Sequence, residues 1–106
     1  QMTGGYDHNF VLDKPEGAFD WMAKAYCEKT GIALEAYTDC PGVQFYAANF
    51  VDNEKGKNGA VYDKRHAFCL ESQYCPNAVN DTHFAQPFLK AGEKYDTKTV
   101  YRFLVK

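Results

Sequence analysis

The sequence predicts an all-β protein, an antiparallel β-sandwich, from its aromatic content and the spacing of its turns. Tyr and Phe contribute 8 residues each to the 106 of the chain, and both favour pleated, half-buried surfaces. Turn signals that contain Gly or Pro separate short segments of alternating apolar and polar residues. Short strands with turns at such spacing are typical of antiparallel sandwiches and barrels. The length is that of one domain.

The first strand-like segment, residues 18–28, has an ambiguous pattern. Its Ala, Met and Lys residues favour a helix, whereas the apolar residues at 19, 21, 23 and 25 recur with the period of two expected of a strand. We predict a strand. The further predicted strands are residues 32–38, 43–50, 67–73 and 99–106. Residues 52–64 are rich in glycine and alternating charges, and we predict an exposed loop there.

The charge and hydropathy patterns exclude two classes of partner. The chain carries 12 basic and 14 acidic residues, a net charge of −2, so it has no basic excess to neutralise nucleic-acid phosphates. No apolar run approaches the roughly 18 residues that a membrane span needs. We therefore expect neither nucleic-acid binding nor membrane insertion.

The four cysteines and the amino terminus indicate the compartment. Cys27, Cys40, Cys69 and Cys75 include no Cys-x-x-Cys pair and have no His at zinc-finger spacing. We expect reduced thiols that pack as small apolar residues in a cytoplasmic protein. The segment around Gln1 lacks the pattern of a signal peptide. Because the chain begins with Gln, we expect it to be a piece of a longer protein.

Three polar residues interrupt strand-like or aromatic surroundings: Asp7, Gln44 and Glu71. A Gln or Glu on a strand usually faces water, and an Asp commonly forms a turn. Glu71 has the stronger pattern, because it shares one strand face with Cys69 and Gln73 in a partly apolar, partly hydrogen-bonding strip. The residues alone leave both interpretations open.

The histidines show no pattern of a shared site. His8, His66 and His83 share neither a strand face nor a metal-ligand spacing. His66 and His83 fit loops or strand edges. His8 follows Asp7 directly, so it could orient Asp7 or donate a proton, although a structural role in a turn is the more common case.

Four segments in one order resemble the C-terminal part of the aldose 1-epimerase (galactose mutarotase) family. They are "GGYDHNFVL", "PGVQFYAANF", "GKNGAVYDKRHAFCLESQYCPNAVN" and "PFLKAGEKYDTKTVYRF". The resemblance runs from about Gly5 to the end of the chain. It implies that residues 1–106 are the C-terminal portion of one such domain, part of a large antiparallel supersandwich.

The resemblance also implies an activity and its residues. Members of the family interconvert the α and β anomers of aldohexoses such as galactose and glucose, without cofactor or metal. Glu71 in "LESQ" matches the catalytic base, although Ser72 replaces the commoner Thr. Asp7 in "DHNF" and Gln44 in "PGVQFY" match residues that bind the sugar.

The family's proton-donating His matches no position of this chain, because it belongs to the N-terminal part of the fold. We therefore expect little mutarotase activity from this chain alone. Exposed strand edges would favour a complementary N-terminal segment or a homo-oligomer. Two alternatives remain: a glycoside hydrolase that uses Asp7 and Glu71, and a non-catalytic sugar-binding module with Trp21, Tyr46 and Tyr74 stacking on sugar.

Overall fold

Strands make up the regular structure of this protein. The structure, a computed structural model, describes residues 4–106, so the first three residues of the predicted domain at 1–106 lie outside the described residues. The strands are β1 (Asp7–Val11), β2 (Asp20–Tyr26), β3 (Ile32–Thr38), β4 (Gly42–Tyr46), β5 (Glu54–Lys55), β6 (Val61–Tyr62), β7 (Cys69–Gln73) and β8 (Thr99–Val105). Short 3-10 turns occupy Lys57–Gly59 and Ala78–Asn80.

Two three-stranded antiparallel sheets form the architecture. We call β1-β4-β7 sheet A and β2-β3-β8 sheet B. The prediction of an all-β antiparallel fold is confirmed. A third ladder, β5-β6, lies within residues 52–64, which were predicted to be a loop. That segment is exposed almost throughout, as predicted, but it folds back on itself as a small hairpin.

Residues 18–28 form a strand, as predicted, but their period of two is interrupted. Trp21 pairs with Tyr37, whereas Ala23 pairs with Ala36, and the register shifts between them at Met22. Such a bulge inserts one extra residue and moves the following side chains to the other face. Met22 is buried, while Trp21 remains exposed. The alternation that predicted the strand therefore does not describe a single face.

Strand β1 was not predicted, and strand β4 is shorter than predicted. Asp7 is the first residue of β1, so the interpretation of Asp7 as a turn residue is wrong. Strand β4 ends at Tyr46, and Ala48 has a φ of 51°. A residue in the left-handed region lacks the extended backbone that a β ladder requires, so the predicted strand at 43–50 is correspondingly shorter.

The core lies between the two sheets and is small. Met22, Ala36 and Val43 are buried together, with Leu12, Ala23 and Leu70 packed against them. Strands β7 and β8 also join the sheets through hydrogen bonds: Tyr101 Oη donates to the Leu70 carbonyl at 2.6 Å, and the hydroxyls of Ser72 and Thr99 are 2.5 Å apart. The inner face of sheet A therefore packs against sheet B.

The cysteine prediction is half right. All four are free thiols, in agreement with the expectation of reduced cysteines. Cys40 and Cys75 are buried as small apolar residues, whereas Cys27 and Cys69 are exposed. Hydrogen bonding to the side chain of Thr30 lowers the pKa of the exposed Cys27 thiol.

Candidate functional site

A row of polar side chains crosses the outer face of sheet A. Val43 is buried and Leu70 packs against the core, so the alternation of side chains directs Gln44 and Glu71 to the opposite face. The ladder places Asn9 opposite Gln44, and Gln44 opposite Glu71. We call this the polar face; it consists of Asp7, Asn9, Gly42, Gln44, Tyr46, Cys69, Glu71 and Gln73.

Hydrogen bonds join four of these side chains into one network. Gln44 Nε2 donates to Asp7 Oδ1 at 2.8 Å. Gln73 Nε2 donates to Gln44 Oε1 at 3.1 Å and to Asn9 Oδ1 at 2.9 Å. Asn9 Nδ2 in turn contacts the Sγ of Cys75 at 3.4 Å. Asp7, Asn9, Gln44 and Gln73 are half-buried, so the sheet holds them in place as one unit.

Glu71 lies beside this network without joining it. Its side chain is exposed and makes no hydrogen bond or ion pair with any other residue in the described range 4–106. The sequence-predicted residues therefore divide into two kinds: Asp7 and Gln44 are bonded to each other, and Glu71 projects next to them with its acceptor sites free.

A buried asparagine and an arginine hold the segment before β1. Asn49 Nδ2 donates to the Tyr6 carbonyl at 2.8 Å, and Arg65 Nη1 donates to Asn49 Oδ1 at 2.7 Å. Arg65 Nη2 also donates to the Gly4 carbonyl. Gly5 has no room for a β-carbon because Asn49 and Arg65 pass directly over it. These hydrogen bonds from Asn49 and Arg65 hold the segment just before β1 and thereby position Asp7.

Sequence reasoning missed Asn9 and Gln73 as members of the site. Asn9 lies two residues after Asp7, and Gln73 two residues after Glu71, so each shares a strand face with a residue that was predicted. That parity was the available signal. It could not identify them alone, because their hydrogen bonds depend on how three separate strands align.

The three histidines lie outside the polar face. His8 Nδ1 accepts a hydrogen bond from the Asp7 backbone N–H at 3.0 Å, and its ring is on the opposite strand face, edge-on to Tyr6 at 5.9 Å. His66 Nδ1 accepts from the Asp63 N–H at 3.1 Å, and His83 Nδ1 lies 2.8 Å from Asp81 Oδ1. Each of them makes local contacts.

The aromatic residues proposed for sugar stacking do not form one platform. Trp21 lies in β2 of sheet B, and Tyr46 lies in β4 on the polar face of sheet A. Tyr74 follows the end of β7 and lines a separate groove with Pro87 and Tyr95. Tyr46 stacks on Phe50 with ring centres 6.2 Å apart and accepts a hydrogen bond from the Phe50 N–H at 3.0 Å. Tyr46 is thus the aromatic residue beside Asp7 and Gln44.

An open apolar groove of about 390 Å³ lies between sheet A and strand β2 of sheet B. Its walls are mainly Phe10, Met22, Phe45, Phe68 and Leu70. Further along, Phe103 and Val105 of β8 are 71% and 86% exposed. Large apolar side chains at such exposure form a surface that a folded protein normally covers.

The described part of the chain has neither a metal-binding cluster nor a membrane-spanning helix. Within residues 4–106, no three His, Cys, Asp or Glu side chains form a group that could hold a metal ion. Among the same residues, none of the helices has the length and apolar character to cross a bilayer.

Comparison with known proteins identifies the family. The family model for aldose 1-epimerase matches residues 1–102. Human galactose mutarotase is 48% identical over 102 residues, and aldose 1-epimerase of Escherichia coli K12 is 31% identical over 102 residues. A crystal structure of a GalM/aldose epimerase homologue from C. elegans superposes with a TM-score of 0.80 at 31% identity, and the match covers 94% of this chain.

These matches differ in how much of each protein they cover. The human match includes 95% of this chain but 30% of the human protein, and the match to the C. elegans structure likewise includes 30% of that chain. The chain therefore spans less than a third of the length of these relatives. The family model, the sequence identity and the shared antiparallel fold agree: this chain belongs to the aldose 1-epimerase family.

Proposed function

We propose that this chain supplies the base and two sugar-binding residues of an aldose 1-epimerase that interconverts the anomers of aldohexoses such as galactose and glucose. One observation carries the proposal. Asp7, Gln44 and Glu71 lie on one sheet face, with Asp7 and Gln44 joined at 2.8 Å and Glu71 directly opposite Gln44 with a free carboxylate. The relatives named galactose mutarotase support it.

Glu71 is the proposed catalytic base. Mutarotation requires a base to take the proton of the anomeric hydroxyl and an acid to protonate the ring oxygen; the ring then opens, C1 rotates and the ring closes again. A carboxylate already bonded to protein donors would be a weaker base. The free carboxylate of Glu71 on the polar face suits this step.

Asp7 and Gln44 are the proposed sugar-holding pair. One hydrogen of the Gln44 Nε2 group goes to Asp7 Oδ1, which leaves the second hydrogen and Asp7 Oδ2 for sugar hydroxyls. Because each is half-buried and fixed by the other, they can orient the ring without first being ordered by it.

The acid of this reaction is proposed to come from outside this chain. His8 lies on the strand face opposite Asp7, and His66 and His83 make local contacts with Asp63 and Asp81. We propose that residues 1–106 are the C-terminal portion of one family domain, in a cytoplasmic protein. The chain by itself then has half of an active site and little activity.

The open groove also supports the proposal that this chain is one portion of a larger family domain. Phe103, Val105 and the groove between the sheets expose apolar surface, and the relatives contain more than twice as much additional chain. We propose that the remaining segment of the family domain covers this surface. Light scattering of the chain alone tests it: association of the chain with itself is expected, and a strictly monomeric folded chain would contradict the proposal.

The two alternative functions have less support. Asp7 pairs with Tyr46 and Glu71 with Gln44 on the two sides of β4, so their backbones are roughly 12 Å apart. A glycosidase needs its two carboxyl groups roughly 5–5.5 Å apart if it retains and roughly 6.5–9.5 Å apart if it inverts, and here the carboxyl of Asp7 is bonded by Gln44 of the intervening strand. A sugar-binding module that stacks sugar on Trp21, Tyr46 and Tyr74 together is disfavoured, because Trp21 and Tyr46 lie in different sheets and Tyr74 lines a separate groove.

Polarimetry of freshly dissolved α-glucose tests the proposed function. The first sample is the chain alone, expected to give the spontaneous rate. The second is a hybrid protein, in which this chain replaces the matched 102-residue segment of human galactose mutarotase, and it is expected to accelerate mutarotation.

Two outcomes would overturn the proposal. A folded hybrid protein that gives only the spontaneous rate would exclude the mutarotase assignment of this chain. A chain that alone matches the rate of the intact human enzyme would contradict the proposed half-site, and would leave the acid to be sought among His8, His66 and His83.

A further inference from the structure

The hydrogen bonds of the polar face run in one direction, and a carboxylate sets that direction. Asp7 is an acceptor when ionised, so Gln44 must present its Nε2 to Asp7 and not its Oε1. The opposite orientation would place the Gln44 carbonyl oxygen against a carboxylate oxygen. The charge on Asp7 therefore determines the orientation of the Gln44 amide.

The orientation of Gln44 determines that of the next residue. With Nε2 turned to Asp7, the Gln44 Oε1 must find a donor, and Gln73 Nε2 lies 3.1 Å away. The second hydrogen of the same nitrogen goes to Asn9 Oδ1 at 2.9 Å. Asn9 must then direct its Nδ2 away from Gln73, and it contacts Cys75 Sγ at 3.4 Å.

This geometry depends on a glycine in the middle strand. Gln73 on β7 and Asn9 on β1 lie on either side of β4, and they meet because Gly42 has no side chain between them. A β-carbon at Gly42 would lie 2.7 Å from Asn9 Oδ1 and 3.3 Å from the Gln73 carbonyl oxygen. The gap at Gly42 is what lets Gln73 reach both Gln44 and Asn9.

We propose that Gln73 is a positioning residue: it fixes the Gln44 amide in the one orientation that keeps Gln44 bonded to Asp7. We call the series Asp7, Gln44, Gln73, Asn9 and Cys75 the orientation relay. Gln73 acts through Gln44, whose second Nε2 hydrogen then faces the sugar. This last step depends on the proposed function, whereas the relay itself does not.

The first test replaces the donor by an acceptor of the same shape. In the full chain, Gln73→Glu removes both donated hydrogen bonds and requires Gln44 to turn its Nε2 toward residue 73. The matched control is Gln86→Glu, which makes the same change in another half-buried amide, one bonded to the Ala78, Asp81 and Phe84 carbonyls. Gln86 lies outside the relay.

The readout is the side-chain amide of Gln44 in a ¹⁵N–¹H NMR spectrum, followed by its hydrogen exchange. Gln73→Glu is expected to shift the Gln44 side-chain resonances and to speed their exchange. Gln86→Glu is expected to leave both unchanged. Unchanged Gln44 resonances in folded Gln73→Glu protein would overturn the proposal.

A second variant keeps the proposal testable if Gln73→Glu folds poorly. Adding Asp7→Asn permits every hydrogen bond of the relay to reverse its direction. The Asn at position 7 can donate to Gln44, Gln44 can donate to the Glu at position 73, and the Cys75 thiol can donate to Asn9. The double variant is expected to unfold at a higher urea concentration than Gln73→Glu alone, and to do so in 1 M salt, where charge repulsion is screened. Strictly additive midpoints would contradict the relay.

Kinetics of the hybrid protein separate this proposal from the proposed function. Gln73→Glu is expected to raise KM about tenfold, the change that corresponds to one hydrogen bond, with a smaller effect on kcat. A hybrid protein without activity before mutation would refute the proposed function, and the NMR and urea results would still decide the relay.

Discussion

The outer faces of the two sheets each carry a glutamate in a cross-strand row, with opposite results. On sheet B, Glu35 lies between Lys24 and Arg102, at 3.9 Å and 3.6 Å, and accepts a hydrogen bond from Tyr37 Oη at 3.2 Å. On sheet A, Glu71 lies beside Gln44, whose amide is bonded elsewhere. The Glu35 side chain is 15% exposed, whereas Glu71 is exposed.

The difference shows that the neighbouring side chains decide whether a carboxylate on a strand stabilises the fold or remains available for a reaction. Both residues fit the pattern of a polar side chain on the outer face of a sheet. Two cations lie close to the Glu35 carboxylate and a hydroxyl donates to it, so Glu35 contributes to the fold. Glu71 has no such partner within residues 4–106, and its lone pairs remain available to a ligand.

The largest effect is expected on kcat, from a substitution that removes the free carboxylate of Glu71. In the hybrid protein, Glu71→Gln is expected to lower kcat by roughly 10²–10⁴-fold, the usual contribution of a general base, as measured by polarimetry. Because the side chain has no partner within residues 4–106, the urea midpoint should stay unchanged. A loss of stability without a loss of rate would reverse the roles that the comparison assigns to Glu71 and Glu35.

The next largest effect is expected on stability, from a substitution that fills the gap at Gly42. Gly42→Ala is expected to lower the free energy of unfolding by about 1–3 kcal/mol, since its β-carbon would crowd Asn9 Oδ1 and the Gln73 carbonyl. Urea denaturation measures the loss, and NMR should show faster exchange of the Gln44 side-chain amide. Gly59→Ala is the control for the NMR readout: no atom lies near its β-carbon, although its φ of 76° strains an Ala there and also lowers stability. Equal effects of the two variants on Gln44 exchange would contradict the role of Gly42.

A smaller effect is expected at the paired glutamate. Glu35→Gln should lower the free energy of unfolding by about 1 kcal/mol, because Lys24 and Arg102 are 38% and 63% exposed and solvent weakens both ion pairs. Urea denaturation in low and high salt measures it, with a smaller loss in high salt. Mutarotation by the hybrid protein should be unaffected, and a large fall in kcat would contradict a structural role for Glu35.

The smallest effect concerns pH and a second satisfied carboxylate. The His83 backbone N–H, and then its side chain, lower the pKa of Asp81. A carboxyl whose native pKa lies below its unfolded pKa stabilises the fold above the unfolded value, and this contribution is lost as pH falls through the native pKa. The stability difference between the protein and Asp81→Asn should therefore shrink on acidification.

Urea midpoints between pH 7 and pH 3 measure this difference. Asp13→Asn is the control, because the Asp13 carboxylate makes no hydrogen bond or ion pair with another residue of the described range. A difference for Asp81→Asn that stays constant with pH would contradict the bonding of Asp81 to His83.

Local pattern was sufficient for most of the fold and for the first members of the site. Alternation identified the segments that became β2, β3, β4, β7 and β8, and the family resemblance singled out Asp7, Gln44 and Glu71. Strand β1 was not predicted, and its Asp7 was open to interpretation as a turn. The bulge at Met22 was also missed, because a bulge appears only when a strand is aligned with its partner.

The sequence by itself determined that each strand has one polar and one apolar face, as is typical of antiparallel sheets. It could do so because the period of two is a property of neighbouring residues. Tertiary structure alone decided which polar residues meet. Strand register aligned Asn9, Gln44 and Glu71 and brought Gln73 across Gly42. It also placed two cations beside Glu35 and, within residues 4–106, none beside Glu71, since cross-strand partners come from distant parts of the chain.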